Sequence, residues 1–401
     1  MEKLKRELNL FDITLAGVGI IIGAGIYALL GIATQTSGNA LWLSFLISAI
    51  IAILTGLSYA ELSSMFKKDA GEYNYIEYAF NKKLALILGI MIIISGAFSL
   101  TTVSLGFSNY FRELFNLNSI LIAIILVLIC SIINYLSIKE VSKINIFVTI
   151  LQVIGLFIII FLGFKFIGNT NYTLMPSGFN GILQSSALIF FAFIGFEGIV
   201  KLEEETKDPH KTIPKAIVLS VLITSIIYIL VAIAAVSIIP WQELSKSNTP
   251  LADIAYKELG NNGLLILTII ALIATASTVL VSLAVISRMI YGMAEEKCIP
   301  GKFCLIDKKR KTPYIAIFSI SLFVILLIFI RDIKIVANIT NIFLFLTFAL
   351  VNLSLIVLRY KKPYIERRFR ISLNIGKFNI PSFFGFLTSL ILLYYALLNV
   401  I

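Results

Sequence analysis

The chain has 401 residues, of which 59% are hydrophobic and only 14% charged, with a mean hydropathy of +0.98. Soluble domains carry about 25% charged residues, so the deficit excludes an ordinary water-facing surface and implies apolar segments recurring along the whole length. The formal net charge of +11 does not point to nucleic acid, because the Lys and Arg residues sit in short segments between apolar runs; lipid headgroups and membrane topology account for them.

A spanning helix needs about 20 mostly apolar residues, and eleven runs qualify in chain order: 14–31, 40–62, 84–107, 119–136, 144–164, 182–200, 217–239, 264–293, 314–330, 335–358 and 383–400. They lack the period-two alternation of barrel strands, so the expected class is an all-α polytopic membrane protein. With the N-terminus in the cytoplasm, 27 of the 33 Lys and Arg fall on the cytoplasmic side, and the other side keeps Arg112, Lys165, Lys246, Lys257, Arg331 and Lys334. An odd number of spans then puts the C-terminus outside. No small-residue cleavage site follows the first apolar run, so no cleavable signal peptide is expected.

The first run carries Gly17, Gly19, Gly23 and Gly25. Glycine costs about 1 kcal/mol against alanine inside a helix, so the cluster marks either a weak point at mid-membrane or close packing against a neighbour. The sixth run carries Gly195 and Gly198 around Glu197. An acid within a span points to function, with local hydrogen bonding near the helix end as its plain alternative. Runs one and six each open a set of five if ten spans divide as five plus five. The second set is then inverted, a pattern that places a binding site where the two interrupted helices meet. A half-helix N-terminus offers N–H groups and a positive dipole to an anion. Freed carbonyls can take an ammonium, so an α-amino acid fits both.

The eighth run places Thr275, Thr278 and Ser282 on one helix face, with Ser277 beside them. These hydroxyls either line a pathway or sodium site or bond their own helix. Ser95, Ser99 and Thr102 on the third run read as helix packing. Gln152, with Asn145 near the start of the fifth run, cannot titrate and serves as interhelical glue or as a cavity group. Cys130, Cys298 and Cys304 form neither a disulfide framework nor a zinc site. His210 is the single histidine. No metal cluster and no nucleophile–base pair is apparent, so neither an enzyme nor a cofactor is expected, and no filter-like loop suggests a channel.

Four stretches carry a resemblance: 17–27; Ser58-Tyr59-Ala60-Glu61-Leu62 running on to Ala70-Gly71-Glu72-Tyr73; 190–197, followed by 203–209 and Ile213-Pro214-Lys215-Ala216; and 287–294 leading to Pro300. With these in order, the chain resembles the amino acid–polyamine–organocation superfamily over nearly its whole length. The resemblance implies the leucine-transporter-type fold with five-plus-five inverted repeats at 1–166 and 167–360, followed by a basic loop and a last helix at 361–401. It implies a plasma-membrane permease that moves amino acids by alternating access, rocking helices one, two, six and seven.

The carboxylate is then expected at the N–H groups of Gly23, Ala24, Gly25 and Ile26, and the amino group at carbonyls of Ile20, Ile21 and the stretch Phe190, Phe191, Phe193, with Gly195 beside it. Phe191 and Phe193 match the gating aromatic positions. Glu197 and Gln152 match gating or coupling positions. Ile20, Thr275, Ser277 and Thr278 match a possible ion site, for H+ or Na+ as coupling ion. Relatives usually have twelve spans rather than eleven, and some place a lysine where Gln152 stands, so the lysine–proton mechanism does not carry over. The scarcity of pathway acids favours a neutral amino acid. A polyamine or amine exchanger and a transport-inactive sensor or partner subunit are the alternatives.

Overall fold

The computed structural model describes residues 7–66, 71–136 and 139–401, without the side chains of 139–146, 201, 203 and 204. Expectations that fall on Lys3, Lys5, Arg6, Lys67, Lys68, Ala70, Lys139, Lys143, the Asn145 side chain and the Lys201 side chain lie outside the described residues.

The helices are α1 (Leu10–Ile21), α2 (Ala24–Ser37), α3 (Leu41–Ser63), α4 (Glu72–Ala79), α5 (Lys82–Phe115), α6 (Ser119–Leu136) and α7 (Lys139–Gly163). They continue as α8 (Gly178–Ile189), α9 (Pro209–Ile238), α10 (Trp241–Leu244), α11 (Pro250–Glu295), α12 (Tyr314–Ile328), α13 (Ile333–Lys361) and α14 (Ile380–Leu398). The only strands among the described residues are two-residue pieces, Asn374–Ile375 and Phe378–Asn379.

Every apolar run falls mainly on helix, with runs one and six interrupted. Among the described residues nine helical stretches are long and apolar enough to cross a membrane, and Leu10–Ile21 and Tyr314–Ile328 are shorter apolar helices. The protein is thus an all-α polytopic membrane protein. Several bounds differ from the apolar runs. The helix expected at 264–293 begins at Pro250, because the polar turns of α11 continue it outward past a kink at Gly260, whose φ is +63°. The polar stretch after run two folds as the short helix α4, whose buried face is Tyr75, Ile76 and Ala79.

Buried side chains form one large core that includes segments one and six, whereas the outer faces of α6, α7 and α12 expose Ile129, Phe157 and Leu322. Apolar exposure of that kind is what a lipid-facing helix requires. Helix α3 packs along α8 and α9, and α5 packs along α11 and α13.

Charge inside this apolar body is concentrated in one cluster. Glu61 on α3 is fully buried and grips Arg359 on α13, with Arg359 Nε 2.8 Å from Oε1 and NH2 on Oε2. The backbone N–H of Ile371 donates to the same carboxylate at 2.8 Å, and Arg367 Nε lies 3.5 Å away. The guanidinium of Arg367 also donates to the carbonyls of Leu358 and Lys362 at the end of α13. Two arginines that the loop charge pattern assigns to topology are therefore structural groups, Arg359 buried and Arg367 half-buried.

Candidate functional site

Helix α1 starts on a capping box, with the Asn9 side chain accepting from the N–H groups of Phe11 and Asp12 and Asp12 returning a bond to the Asn9 N–H. It stops at Ile21. Ile22 and Gly23 are non-helical, and α2 begins at Ala24 with Gly23 as N-cap and no side-chain cap. The first turn of a helix has four N–H groups without intrahelical partners. Here Ala24, Gly25 and Ile26 present that turn from within the buried core.

The sixth segment breaks differently. Helix α8 ends at Ile189 and continues as a 3-10 turn, Phe190–Phe193. The chain then opens at Ile194 and Gly195 and resumes as a ten-residue 3-10 helix, Phe196–Glu205. Runs of 3-10 longer than three or four residues are uncommon and mark strain or function. Gly195 has φ +120°, a conformation in which a side chain is disfavoured. The Glu197 carboxylate turns back and accepts from the Gly195 N–H at 2.9 Å. Local bonding and a place in the break are therefore both true of Glu197.

The two segments lie antiparallel. A Cβ on Gly25 would stand 2.7 Å from the Ala192 Cα, one on Gly195 would stand 2.9 Å from the Ile20 carbonyl oxygen, and one on Gly17 would meet Ile199 at 2.7 Å. Rising numbers on one segment meet falling numbers on the other. The ends are also tied, with Glu7 and Leu8 donating to the Glu205 carbonyl and Lys207 donating back to Leu8. Close packing and helix interruption are thus both served by the same glycines.

Tyr228 on α9 sits across both breaks. Its hydroxyl is 3.1 Å from the Ala192 carbonyl and 3.3 Å from the Ile21 carbonyl, so its single proton serves one or the other. The sequence reading did not single out Tyr228. The signal was the lone tyrosine of the seventh run, whose hydroxyl needs a polar partner when buried. Two further tyrosines are linked nearby: Tyr27 donates to the Gln152 carbonyl at 2.7 Å, and Tyr110 donates to the Tyr27 carbonyl at 3.0 Å.

The remaining expected residues divide. Phe190 and Phe193 are fully buried in an aromatic cluster, Phe193 against Phe45 and Tyr228 and Phe190 against Phe345 and Phe348. Phe191 is buried without joining those ring contacts. Gln152 donates to the Ala274 carbonyl on α11 at 3.4 Å, which makes it a bridge between α7 and α11. Thr275 and Thr278 donate to Ala271 and Ala274 of their own helix. Thr278 Oγ1 lies 3.6 Å from where a Cβ of Gly23 would stand, whereas Ile20 faces Gly195 and Gly198. Of the expected ion-site residues, Thr278 is thus the one placed beside Gly23.

Ser95 bonds the Thr340 carbonyl on α13, as packing requires. It also lines a cavity of about 40 Å3 with Tyr59, Glu72, Glu197 and Thr347. That is room for water rather than for an amino acid. Tyr59 Oη is 3.3 Å from Glu72 Oε1 there. Among the described residues no group of three or more His, Cys, Asp or Glu side chains could hold a metal.

The family model described as amino acid permease matches residues 8–400. A branched-chain amino acid permease of Bacillus subtilis is 31% identical, covering 92% of this chain and 84% of its own length. A methylthioribose transporter of Bacillus subtilis is 26% identical, with 92% and 85% covered. A vacuolar cationic amino acid transporter of Arabidopsis thaliana is 28% identical over 90% of this chain and 64% of its own length. Broken antiparallel helices within an all-α membrane body and a match over nearly the full length agree: the chain belongs to the amino acid permease family, within the amino acid–polyamine–organocation superfamily, and is a transporter of amino acids rather than an enzyme.

Proposed function

We propose that the protein is a secondary transporter for neutral amino acids that works by alternating access around the two breaks. The carboxylate meets the N–H groups of Gly23, Ala24 and Ile26 at the start of α2. The amino group meets carbonyls of Ile20, Ile21 and the Phe190–Phe193 turn. The observation that carries this reading is Tyr228, whose hydroxyl reaches a carbonyl on each broken segment. A substrate ammonium that takes those carbonyls competes with the tyrosine proton and so couples binding to the position of α9.

Gly25 supports the reading in a changed role. It brings the segments into contact at Ala192, so substrate sits nearer Gly23, where Thr278 Oγ1 is the nearest side-chain atom. The proposal keeps two inverted repeats, 1–166 and 167–360, with 361–401 as an added unit. It puts the N-terminus in the cytoplasm and the protein in the plasma membrane. Gln152 stands at a position that cannot hold a proton, so H+ coupling runs through Glu197, and Na+ coupling uses carbonyls near Ile20 with Thr275, Ser277 or Thr278.

A second reading takes a cationic amino acid or polyamine as substrate. Glu72 and Glu197 on one water-sized cavity beside the break favour it. Uptake of a labelled amino acid panel into proteoliposomes, under separate proton and sodium gradients, decides among these. Saturable uptake of L-leucine or its neighbours supports the first reading, and preference for L-lysine or putrescine supports the second. Absence of saturable uptake for every amino acid and amine rejects both, and substrate binding without flux identifies a sensor.

A further inference from the structure

The cation-poor face carries a cavity of about 580 Å3, at the end of the molecule opposite the Glu61 cluster. Its wall is formed by the last turns of α5, the start of α6, the loop before α11 and the start of α13. Arg112 and Arg331 both line it, and no Asp or Glu does. They are the only arginines among the six cations on that face. Lys165 is paired with Glu258, and Lys257 is bonded to the Ile238 carbonyl. The guanidiniums of Arg112 and Arg331 have neither an ion pair nor a hydrogen bond among the described residues. The Asp332 carboxylate beside Arg331 is committed to the N–H groups of Lys334 and Ile335.

The amides on the wall repeat the pattern. Asn109, Asn116 and Asn248 line the cavity, and their side chains are without a partner among the described residues. The asparagines buried elsewhere, Asn134, Asn341 and Asn352, are bonded to backbone carbonyls. Arg112, Arg331, Asn116 and Asn248 are solvent-exposed on the wall and Asn109 is half-buried. Two guanidiniums and three amides on one concavity suit a planar oxyanion, since guanidinium matches a carboxylate in fork geometry. The volume suits a small molecule. The floor lies one layer above the first break: a Cβ on Gly106 would meet Ala28 at 2.9 Å and Ile333 at 3.9 Å, and Tyr110 and Tyr27 close the layer below.

We propose that this cavity is a second amino acid site, in which Arg112 and Arg331 hold the substrate carboxylate on the cation-poor face before it passes the Tyr27–Tyr110 layer. The inference rests on the transport reading of the central breaks. A lipid headgroup phosphate offers the same oxyanion chemistry, and the test separates the two.

Phenylglyoxal modification of Arg112 and Arg331, read by mass spectrometry on the purified protein in neutral detergent, reports the site without transport. Acetate and L-leucine slow the modification of both arginines, and n-butylamine does not. Absence of protection by either carboxylate overturns the proposal. So does full protection in phosphatidylglycerol nanodiscs with no added solute, which identifies the lipid as occupant.

In proteoliposomes, Arg112→Gln with Arg331→Gln raises the KM for labelled L-leucine presented on that face by about 3- to 10-fold, the size expected for part-exposed charged contacts. The kcat and the KM from the opposite face hold. Equal loss from both faces with a lowered Tm overturns the proposal by marking a structural role. If the wild type carries no amino acid, the central transport reading fails, while the protection assay still decides whether the cavity binds carboxylate.

Discussion

Two regions of this protein hold polar groups inside an apolar body, and they treat them in opposite ways. At Glu61 the groups are matched: one carboxylate meets Arg359 on both oxygens, takes the Ile371 N–H and stands near Arg367. At the breaks they are left open: the start of α2 has no side-chain cap, and one hydroxyl is shared between two carbonyls. Burying an unmet polar group costs free energy. On the transport reading proposed above, the unfinished groups at the centre are the ones a substrate completes. The matched cluster ties helices together, and the open one can change partners.

The comparison breaks first at its matched side. Glu61→Gln leaves the buried Arg359 and the half-buried Arg367 short of a counter-charge, which costs about 3–5 kcal/mol. Thermal unfolding in detergent is the measurement, and Glu61→Gln with Arg359→Gln together costs less than the two single changes summed. A Tm unchanged by Glu61→Gln removes the matched cluster from the account.

Next come the glycines, where packing and binding separate. Gly25→Val places atoms into the Ala192 backbone, so Tm and substrate affinity fall together. Gly23→Ala meets Thr278 Oγ1 at 3.6 Å and the Ile21 carbonyl oxygen at 4.0 Å, both ordinary contacts, and keeps an ordinary φ of −126°. It folds normally and weakens L-leucine binding about tenfold, or about 1.4 kcal/mol. Affinity preserved in Gly23→Ala moves the carboxylate site away from the start of α2.

Tyr228→Phe removes one hydrogen bond, worth about 0.5–1.5 kcal/mol. It lowers Tm by a few degrees at most and alters L-leucine affinity, because the carbonyls then have no competing proton. Glu197→Gln keeps binding within about twofold, since an amide oxygen still accepts from Gly195, and it flattens the dependence of uptake on an imposed proton gradient. Gradient dependence equal to wild type takes Glu197 out of coupling.

The smallest effect is expected at a loop that neither region uses. The exposed Asp307 carboxyl is held below the ordinary aspartate value, first by the Arg310 N–H, with the Lys309 N–H and the Tyr135 hydroxyl adding to it. A depressed folded value gives stability that is present above the unfolded pKa and lost as the pH falls toward the folded one. Asp307→Asn therefore matters slightly at neutral pH and not at all at strongly acid pH. Tm measured along a pH series resolves the difference.

Much of this architecture was legible in the chain because membranes impose a simple rule. Each span must be about 20 apolar residues and must satisfy its own backbone, so run length alone located the helices. A break within 17–25 was one of two readings, because four glycines within nine residues either weaken a helix or let a neighbour approach; the structure put it at Ile22 and Gly23. The gating part assigned to Phe193 was less legible. Its ring is clamped between Phe45 and Tyr228, residues 148 and 35 positions away, and periodicity within one segment carries no record of such partners. Likewise spacing put Thr275 and Thr278 on one face of α11 but did not say that Thr278 stands beside Gly23.

By itself, then, the sequence determined an all-α membrane body, the places where two helices fail and the family to which the chain belongs, because apolar length, glycine and acid positions are local properties with local costs. Only the tertiary structure decided that Gly25 is spent on contact with Ala192, that Tyr228 joins the two breaks, that Glu61 is answered by arginines about 300 residues distant, and that Arg112 and Arg331 share a cavity. Those outcomes depend on which helix faces oppose each other, and pairwise packing of distant segments is settled by the free energy of the whole assembly.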